Sequence, residues 1–113
     1  MEVHTTLGPG FLESIYRNAL LHELQLRALA TQCELCVEVG YKDQIVGKHR
    51  LDLLVENSVV VELKAVTGIN AVHMAQILSY MRAVHVDTGL VINFSEDSLR
   101  WKRIINKPRI ERI

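Results

Sequence analysis

The chain has 113 residues, of which 49% are hydrophobic and 23% are charged. This composition is typical of a single folded domain, here taken as residues 1–113, and excludes a disordered tail. The formal net charge at pH 7 is zero, so any attraction to nucleic acid must come from local clusters of charge. No apolar run approaches the roughly 20 residues needed to cross a bilayer, and Met1–Gly10 lacks a signal-peptide pattern. We therefore expect a cytoplasmic protein without membrane contact.

The first part of the chain predicts one helix and one strand. Met1–Leu7 is expected to be too short to form a stable unit. After the turn at Gly8-Pro9-Gly10, apolar residues recur at helical spacing from Phe11 to about Ala30, which predicts the first helix. From Glu34 to Tyr41 the apolar period changes to two, which predicts a strand.

The remaining elements are mainly strands. We expect strands at Val46–Val55, Val59–Ala65 and Gly89–Phe94, and a second helix at Ala71–Val84. The first two of these strands complete an antiparallel meander, and Asn70 can cap the helix. Gly89–Phe94 is almost continuously apolar, which indicates a strand buried on both faces and joined to the meander by a right-handed parallel crossover. Leu99–Ile105 fits either a strand or a short helix. The predicted fold combines helices with a mixed sheet and belongs to the α/β class in the broad sense, more narrowly α+β.

Three charged residues, Asp52, Glu62 and Lys64, lie inside strands that otherwise have core composition. Glu62 and Lys64 project from the same face, because alternate residues of a strand do so. Buried carboxylates are normally paired or bound to metal, and two that face each other require a shared proton or a divalent cation such as Mg²⁺ or Mn²⁺. A structural ion pair with Lys64 at a solvated sheet edge remains the alternative.

The length of the second hairpin loop decides whether the two carboxylates meet. With a three-residue loop at 56–58, Val55 pairs with Val59, and Asp52 then lies opposite Glu62 with Cβ atoms roughly 5 Å apart. A two-residue loop would place Asp52 opposite an apolar residue. The sequence therefore favours the longer loop or a bulge.

A stripe of uncharged polar residues runs along the second helix. Asn70, His73, Gln76 and Tyr80 recur at spacings of three and four, so they share one face. Such side chains can hydrogen-bond phosphate oxygens, or order a lysine or a water, although half-buried residues with satisfied hydrogen bonds give the same pattern. On the first helix, Glu13 is either a third acidic ligand or a carboxylate that compensates the helix dipole.

These residues together resemble a known superfamily. Asp52, Glu62-Leu63-Lys64 and Gln76–Tyr80 resemble the motifs of the PD-(D/E)XK nucleases, including the Q-x-x-x-Y motif of the RecB-like and lambda-exonuclease-like branches. Gly10–Tyr16 reads G-x-x-E-x-x-Y and is similar to the small bacterial family named for that motif. The resemblance spans about Gly8 to Arg103, with a leucine where the superfamily motif has a proline that many members lack.

The resemblance implies a restriction-endonuclease-like αβββαβ core and metal-dependent hydrolysis of phosphodiester bonds in nucleic acid, with DNA favoured. It implies Mg²⁺ or Mn²⁺ at Asp52 and Glu62, with Glu13 at the acidic helix position, Lys64 aiding the attacking water or the phosphate, and Gln76 and Tyr80 supporting the site.

The segment around Trp101, Lys102 and Arg103 is locally basic and could contact nucleic acid, with the indole available for stacking. A solvated strand or helix face with a core tryptophan explains it equally well. The alternative function is a non-catalytic nucleic-acid-binding or assembly module that retains the nuclease fold. The small size and the apolar first helix leave a homodimer open.

Overall fold

The computed structural model of the chain describes residues 2–8, 10–94 and 100–106. The described residues form the helices α1 (Glu2–Leu7), α2 (Glu13–Leu26) and α3 (Ala71–Val84), and the strands β1 (Thr31–Tyr41), β2 (Gln44–Val55), β3 (Val59–Lys64), β4 (Thr88–Asn93) and β5 (Arg100–Ile105). None of the described helices is both long and apolar enough to span a bilayer.

The strands form one mixed sheet in the order β1-β2-β3-β4-β5. Strands β3 and β4 are parallel and are connected through α3, whereas every other neighbouring pair is antiparallel. The predicted meander and parallel connection are therefore confirmed. The segment that fitted either a strand or a helix is the edge strand β5, which pairs with β4.

Helices cover both faces of the sheet. On one face, Tyr16 and Leu20 of α2 pack against a cluster that includes Leu63 and Phe94. On the other face, α3 packs against a second cluster, in which Ile77 and Met81 meet Val60 and Val91, all fully buried. Burial of apolar surface on both faces explains the nearly continuous apolar sequence of β3 and β4.

Two predictions about the helices require correction. Met1–Leu7 was expected to form no stable unit, but Glu2–Leu7 is the helix α1. Val3 is only 5% exposed and packs into the cluster under α2, so tertiary contacts support a helix that is too short to be stable alone. Helix α2 ends at Leu26, short of the predicted Ala30, and Ala28 has a left-handed φ of 59°.

The β1–β2 hairpin changes face partway along its length. Cys33 pairs with Leu53, and both side chains pack in the cluster under α2. Two residues further along β1, Leu35 pairs with Leu51, and these side chains pack in the cluster under α3. In a regular hairpin these two pairs would point to the same side. Glu34, which lies between them on β1, has a left-handed φ of 53°, so the sheet is irregular at this level.

Strand β2 separates from β3 immediately beyond this irregularity. The predicted register is confirmed, because Val55 pairs with Val59 across the three-residue loop, but the ladder ends at the pair Leu53 and Val61. Strand β4, in contrast, pairs with β3 along its full length, Val59–Lys64. We call the opening between β2 and β3 beyond Leu53 and Val61 the strand fork.

Gly89 permits the close approach of α3 to β4. A Cβ atom at this position would lie 2.6 Å from Met81 Sδ and 3.0 Å from Ile77 Cδ1, and both side chains are fully buried. Gly89→Ala is therefore expected to lower the free energy of unfolding by about 1–3 kcal/mol through overpacking, as measured by urea denaturation. The control is Gly47→Ala, where a Cβ meets nothing within 4 Å. Equal effects of the two substitutions would contradict this account of the helix–sheet contact.

Candidate functional site

Two carboxylates meet at the strand fork. The Asp52 backbone amide donates to Glu62 Oε1 at 3.2 Å, and the Leu63 amide donates to Asp52 Oδ2 at 2.8 Å. Each side chain thus accepts a hydrogen bond from a backbone amide where the ladder between β2 and β3 has ended. The expected convergence of the two carboxylates is present. In the described part of the chain, no salt bridge joins Lys64 to either carboxylate.

Burial raises the pKa of the Glu62 side chain. Its side chain is only 6% exposed. The pKa of Glu62 is raised from 4.5 to about 8, first by loss of hydration and then by the charge of Asp52, with a smaller upward contribution from a hydrogen bond between the two carboxyl groups. The Asp52 amide and the charge of Lys64 lower the pKa, but by less. Glu62 therefore keeps a proton at neutral pH until a cation compensates its charge.

Lys64 and Tyr80 lie beside this pair. Lys64 is half-buried two residues beyond Glu62 on β3, on the same strand face. Tyr80 is half-buried on α3. Its pKa is raised first by burial and then by the charges of Glu62 and Asp52, so the phenol lies within electrostatic reach of both carboxylates. Gln76, one turn earlier on α3, is exposed.

Asn93 fixes the chain that follows Lys64, and the sequence motifs did not identify it. The fully buried Asn93 side chain accepts from the Val66 amide at 3.2 Å and donates to the Val66 carbonyl at 2.9 Å. The Phe94 amide also donates to the Lys64 carbonyl at 2.9 Å. An amide residue at the end of a strand buried on both faces is the signal that could have indicated this positioning role.

Glu13 and His73 are not brought into the carboxylate pair. Glu13 is exposed in the first turn of α2, and the described residues contain no group of three or more His, Cys, Asp or Glu that could hold a metal ion. His73 forms a capping box with Asn70, whose backbone amide donates to His73 Nδ1 at 3.1 Å. A metal role for Glu13 and a nucleic-acid role for His73 stay predictions.

The basic segment lies on the edge strand β5. Lys102 pairs with Val91, which in turn pairs with Glu62, so Lys102 lies level with Glu62, two strands across the sheet. Trp101, Lys102 and Arg103 are all exposed, the indole by 58%. Strand alternation places Lys102 on the opposite face from Trp101 and Arg103, so the three side chains do not form one surface. Their contact with nucleic acid also stays a prediction.

The carboxylate pair fits a hard divalent cation. Mg²⁺ is commonly held by one or two carboxylates and keeps waters and substrate phosphates as its other ligands. Asp52 and Glu62 each have a second oxygen that is not used in the backbone hydrogen bonds. Their mutual repulsion and the burial of Glu62 are the conditions under which a bound cation lowers the energy of the ionised pair.

The sheet and its paired acids define a nuclease-like α+β protein. The family model of the PD-(D/E)XK nuclease superfamily matches residues 1–104, and the chain belongs to that superfamily. The crystal structure of SSO0001 is similar, with a TM-score of 0.67, 18% sequence identity and coverage of 85% of this chain. The chain spans 50% of that protein, and a likeness at this identity shows the fold alone. No curated protein matches the sequence.

The raised pKa of Glu62 predicts a pH-dependent stability in the absence of metal. Between pH 4.5 and about 8 the folded protein keeps a proton that the unfolded chain has released, so the free energy of unfolding falls as the pH rises through this window. The fall is at most about 1.4 kcal/mol per pH unit. Glu62→Gln imitates the protonated side chain and is expected to flatten the dependence in urea denaturation with EDTA.

The matched control for this prediction is Glu38→Gln on the exposed face of β1, which should retain the wild-type pH dependence. A Glu62→Gln variant whose stability falls with pH as steeply as that of the wild type would contradict the assignment of the buried proton to Glu62.

Proposed function

We propose that this protein is a metal-dependent nuclease that hydrolyses phosphodiester bonds of nucleic acid, with DNA as the preferred substrate and Mg²⁺ or Mn²⁺ as the cofactor. The observation that carries the proposal is the convergence of Asp52 and Glu62 at the strand fork. Membership of the PD-(D/E)XK nuclease superfamily supports it, because a nuclease of this superfamily acts on nucleic acid. A cytoplasmic location is part of the same proposal.

Each side chain of the candidate site has a proposed role. Asp52 and Glu62 would hold the cation through their free oxygens, and Glu13 would complete the acidic set. When bound, the cation polarises the phosphate and lowers the pKa of a water ligand. Lys64, on the same strand face as Glu62, orients the attacking water or neutralises a phosphate oxygen. Tyr80 and Gln76 donate hydrogen bonds to the phosphate or restrain Lys64.

We also propose that the chain belongs to the G-x-x-E-x-x-Y family within the Q-x-x-x-Y branch. The contacts of Tyr16 support this assignment. Its hydroxyl donates to the Gly8 carbonyl at 2.6 Å and accepts from the Phe11 amide at 3.1 Å, and its ring stacks on Phe94 with centroids 4.3 Å apart. The motif tyrosine therefore holds the glycine turn that positions Glu13 at the start of α2.

Asp52→Asn and Glu62→Gln are expected to reduce metal-dependent cleavage of a labelled DNA duplex and of a single strand by at least about 100-fold, because a bound metal contributes several kcal/mol to transition-state stabilisation. Circular dichroism checks that both variants fold. Asp43→Asn is the control, since Asp43 is exposed in the hairpin turn with φ 65°, a conformation that asparagine tolerates. Undiminished cleavage by both site variants would remove the proposal.

Metal binding can be tested without a substrate. Mg²⁺ or Mn²⁺ is expected to stabilise the wild type by about 2.7 kcal/mol at a hundred times its Kd, measured as a rise in Tm. Asp52→Asn should lose this rise, whereas Asp43→Asn should keep it. Identical metal-induced shifts in wild type and Asp52→Asn would place the cation elsewhere.

A second function is favoured by one observation, namely that each of the two carboxylates accepts a hydrogen bond from a backbone amide of the sheet. A non-catalytic nucleic-acid-binding or assembly module could keep the same hydrogen bonds for stability alone. It would bind nucleic acid or a second copy of the chain without metal-dependent turnover. Cleavage by purified wild type that is lost in Asp52→Asn would exclude this function.

A further inference from the structure

A polar cavity lies beside the candidate site. The cavity has a volume of about 440 Å³ and lies between the β1–β2 hairpin and the C-terminal half of α3. Its polar lining side chains are His49, Ser79, Arg82 and His85, and no carboxylate lines it. We call it the hairpin pocket. Its volume falls within the range of about 300–1,000 Å³ that is typical of small-ligand sites.

The polar groups of the hairpin pocket can all donate hydrogen bonds, and Arg82 brings a permanent positive charge. In the described part of the chain, the side chains of Arg82 and His85 form no hydrogen bond or ion pair with protein groups. Cations near a helix C-terminus often only compensate the helix dipole, which would account for these two residues. It does not account for His49, which enters the pocket from β2 on the opposite wall.

Tyr80 connects the hairpin pocket to the strand fork. The ring of His49 packs edge-on against Tyr80 with centroids 4.5 Å apart, and His49 Nε2 lies 3.5 Å from Ser79 Oγ. Tyr80 is also the residue whose pKa responds to the charges of Asp52 and Glu62. The hairpin pocket and the carboxylate pair therefore flank one aromatic side chain, so a ligand longer than a single phosphate could occupy both.

We propose that the hairpin pocket binds a backbone phosphate of the nucleic-acid strand that flanks the bond placed at the carboxylate pair. Arg82 supplies the charge, and His49, Ser79 and His85 supply hydrogen-bond donors. That the ligand is a nucleic-acid strand rests on the proposed function. Phosphate contacts fix the register of a nucleic acid on a protein without reading its sequence, so the pocket would position the strand. In a protein with zero net charge, the positive charge of Arg82 provides a local attraction that the whole molecule lacks.

The test measures binding of an end-labelled single-stranded oligodeoxyribonucleotide by fluorescence anisotropy, in EDTA so that no cleavage occurs. Arg82→Gln is expected to weaken binding about tenfold and to reduce the slope of log K against log salt by about 0.7. His85→Asn removes the imidazole while suiting the left-handed φ of 58°, and should weaken binding about threefold.

The matched control is Lys48→Gln, which removes one positive charge from the residue next to His49. Lys48 is exposed, and strand alternation places it on the hairpin face away from the pocket. The Lys48→Gln variant should therefore bind the oligonucleotide with the affinity and the salt slope of the wild type. Equal effects of Arg82→Gln and Lys48→Gln, or no oligonucleotide binding by the wild type, would overturn the proposal. So would inorganic phosphate binding as tightly as the oligonucleotide, because the pocket would then take free phosphate.

Cleavage assays on the same proteins separate this proposal from the nuclease function. Oligonucleotide binding that depends on Arg82, in a protein that never cleaves, would support the hairpin pocket and remove the nuclease. Metal-dependent cleavage by a protein whose Arg82→Gln variant binds like the wild type would keep the nuclease and remove the pocket.

Discussion

Where β2 separates from β3, two backbone amides lose their ladder partners, and two carboxylates accept hydrogen bonds from them. Asp52 accepts from the Leu63 amide, and Glu62 accepts from the Asp52 amide. This exchange satisfies buried backbone groups that would otherwise be costly, and it brings two carboxyl groups together, so that the charge of Asp52 helps to raise the pKa of Glu62. The chemistry proposed for the protein therefore depends on two side-chain carboxylates that replace the missing ladder acceptors of two backbone amides in the sheet.

The rest of the fold holds this arrangement in place. Strand β3 keeps its full pairing with β4 while it loses β2, so Glu62 and Lys64 stay on a rigid element. Asn93 fastens the chain just beyond Lys64. On the sheet face that α3 covers, Gly89 permits a close approach of the helix to the sheet. Tyr80 of α3 lies within electrostatic reach of the carboxylates. Rigid support of this kind is what a positioned catalytic group requires.

Much of the fold could be predicted because each element carries its own periodic signal. Helix α3 has the predicted bounds Ala71–Val84, since its apolar spacing and its Asn70 cap are both local. The hairpin register followed from loop length and parity. The prediction for the N-terminal segment was wrong, because α1 depends on the packing of Val3 against α2, and no local pattern reports that contact. The roles assigned to Glu13, His73 and the β5 residues depend on a bound ligand and stay predictions.

The sequence by itself determined the antiparallel meander with its parallel connection and the face shared by Glu62 and Lys64, and it favoured the loop length that points Asp52 toward Glu62, since alternation and loop length are local rules. Only the tertiary structure decided that β2 would part from β3 at this point, that Glu62 would be buried enough to keep a proton, and that His49 would lie against Tyr80. Those outcomes depend on how the β1–β2 hairpin packs against α3. The spacing of residues in the sequence does not report which side chains lose their hydration or which distant segments come into contact.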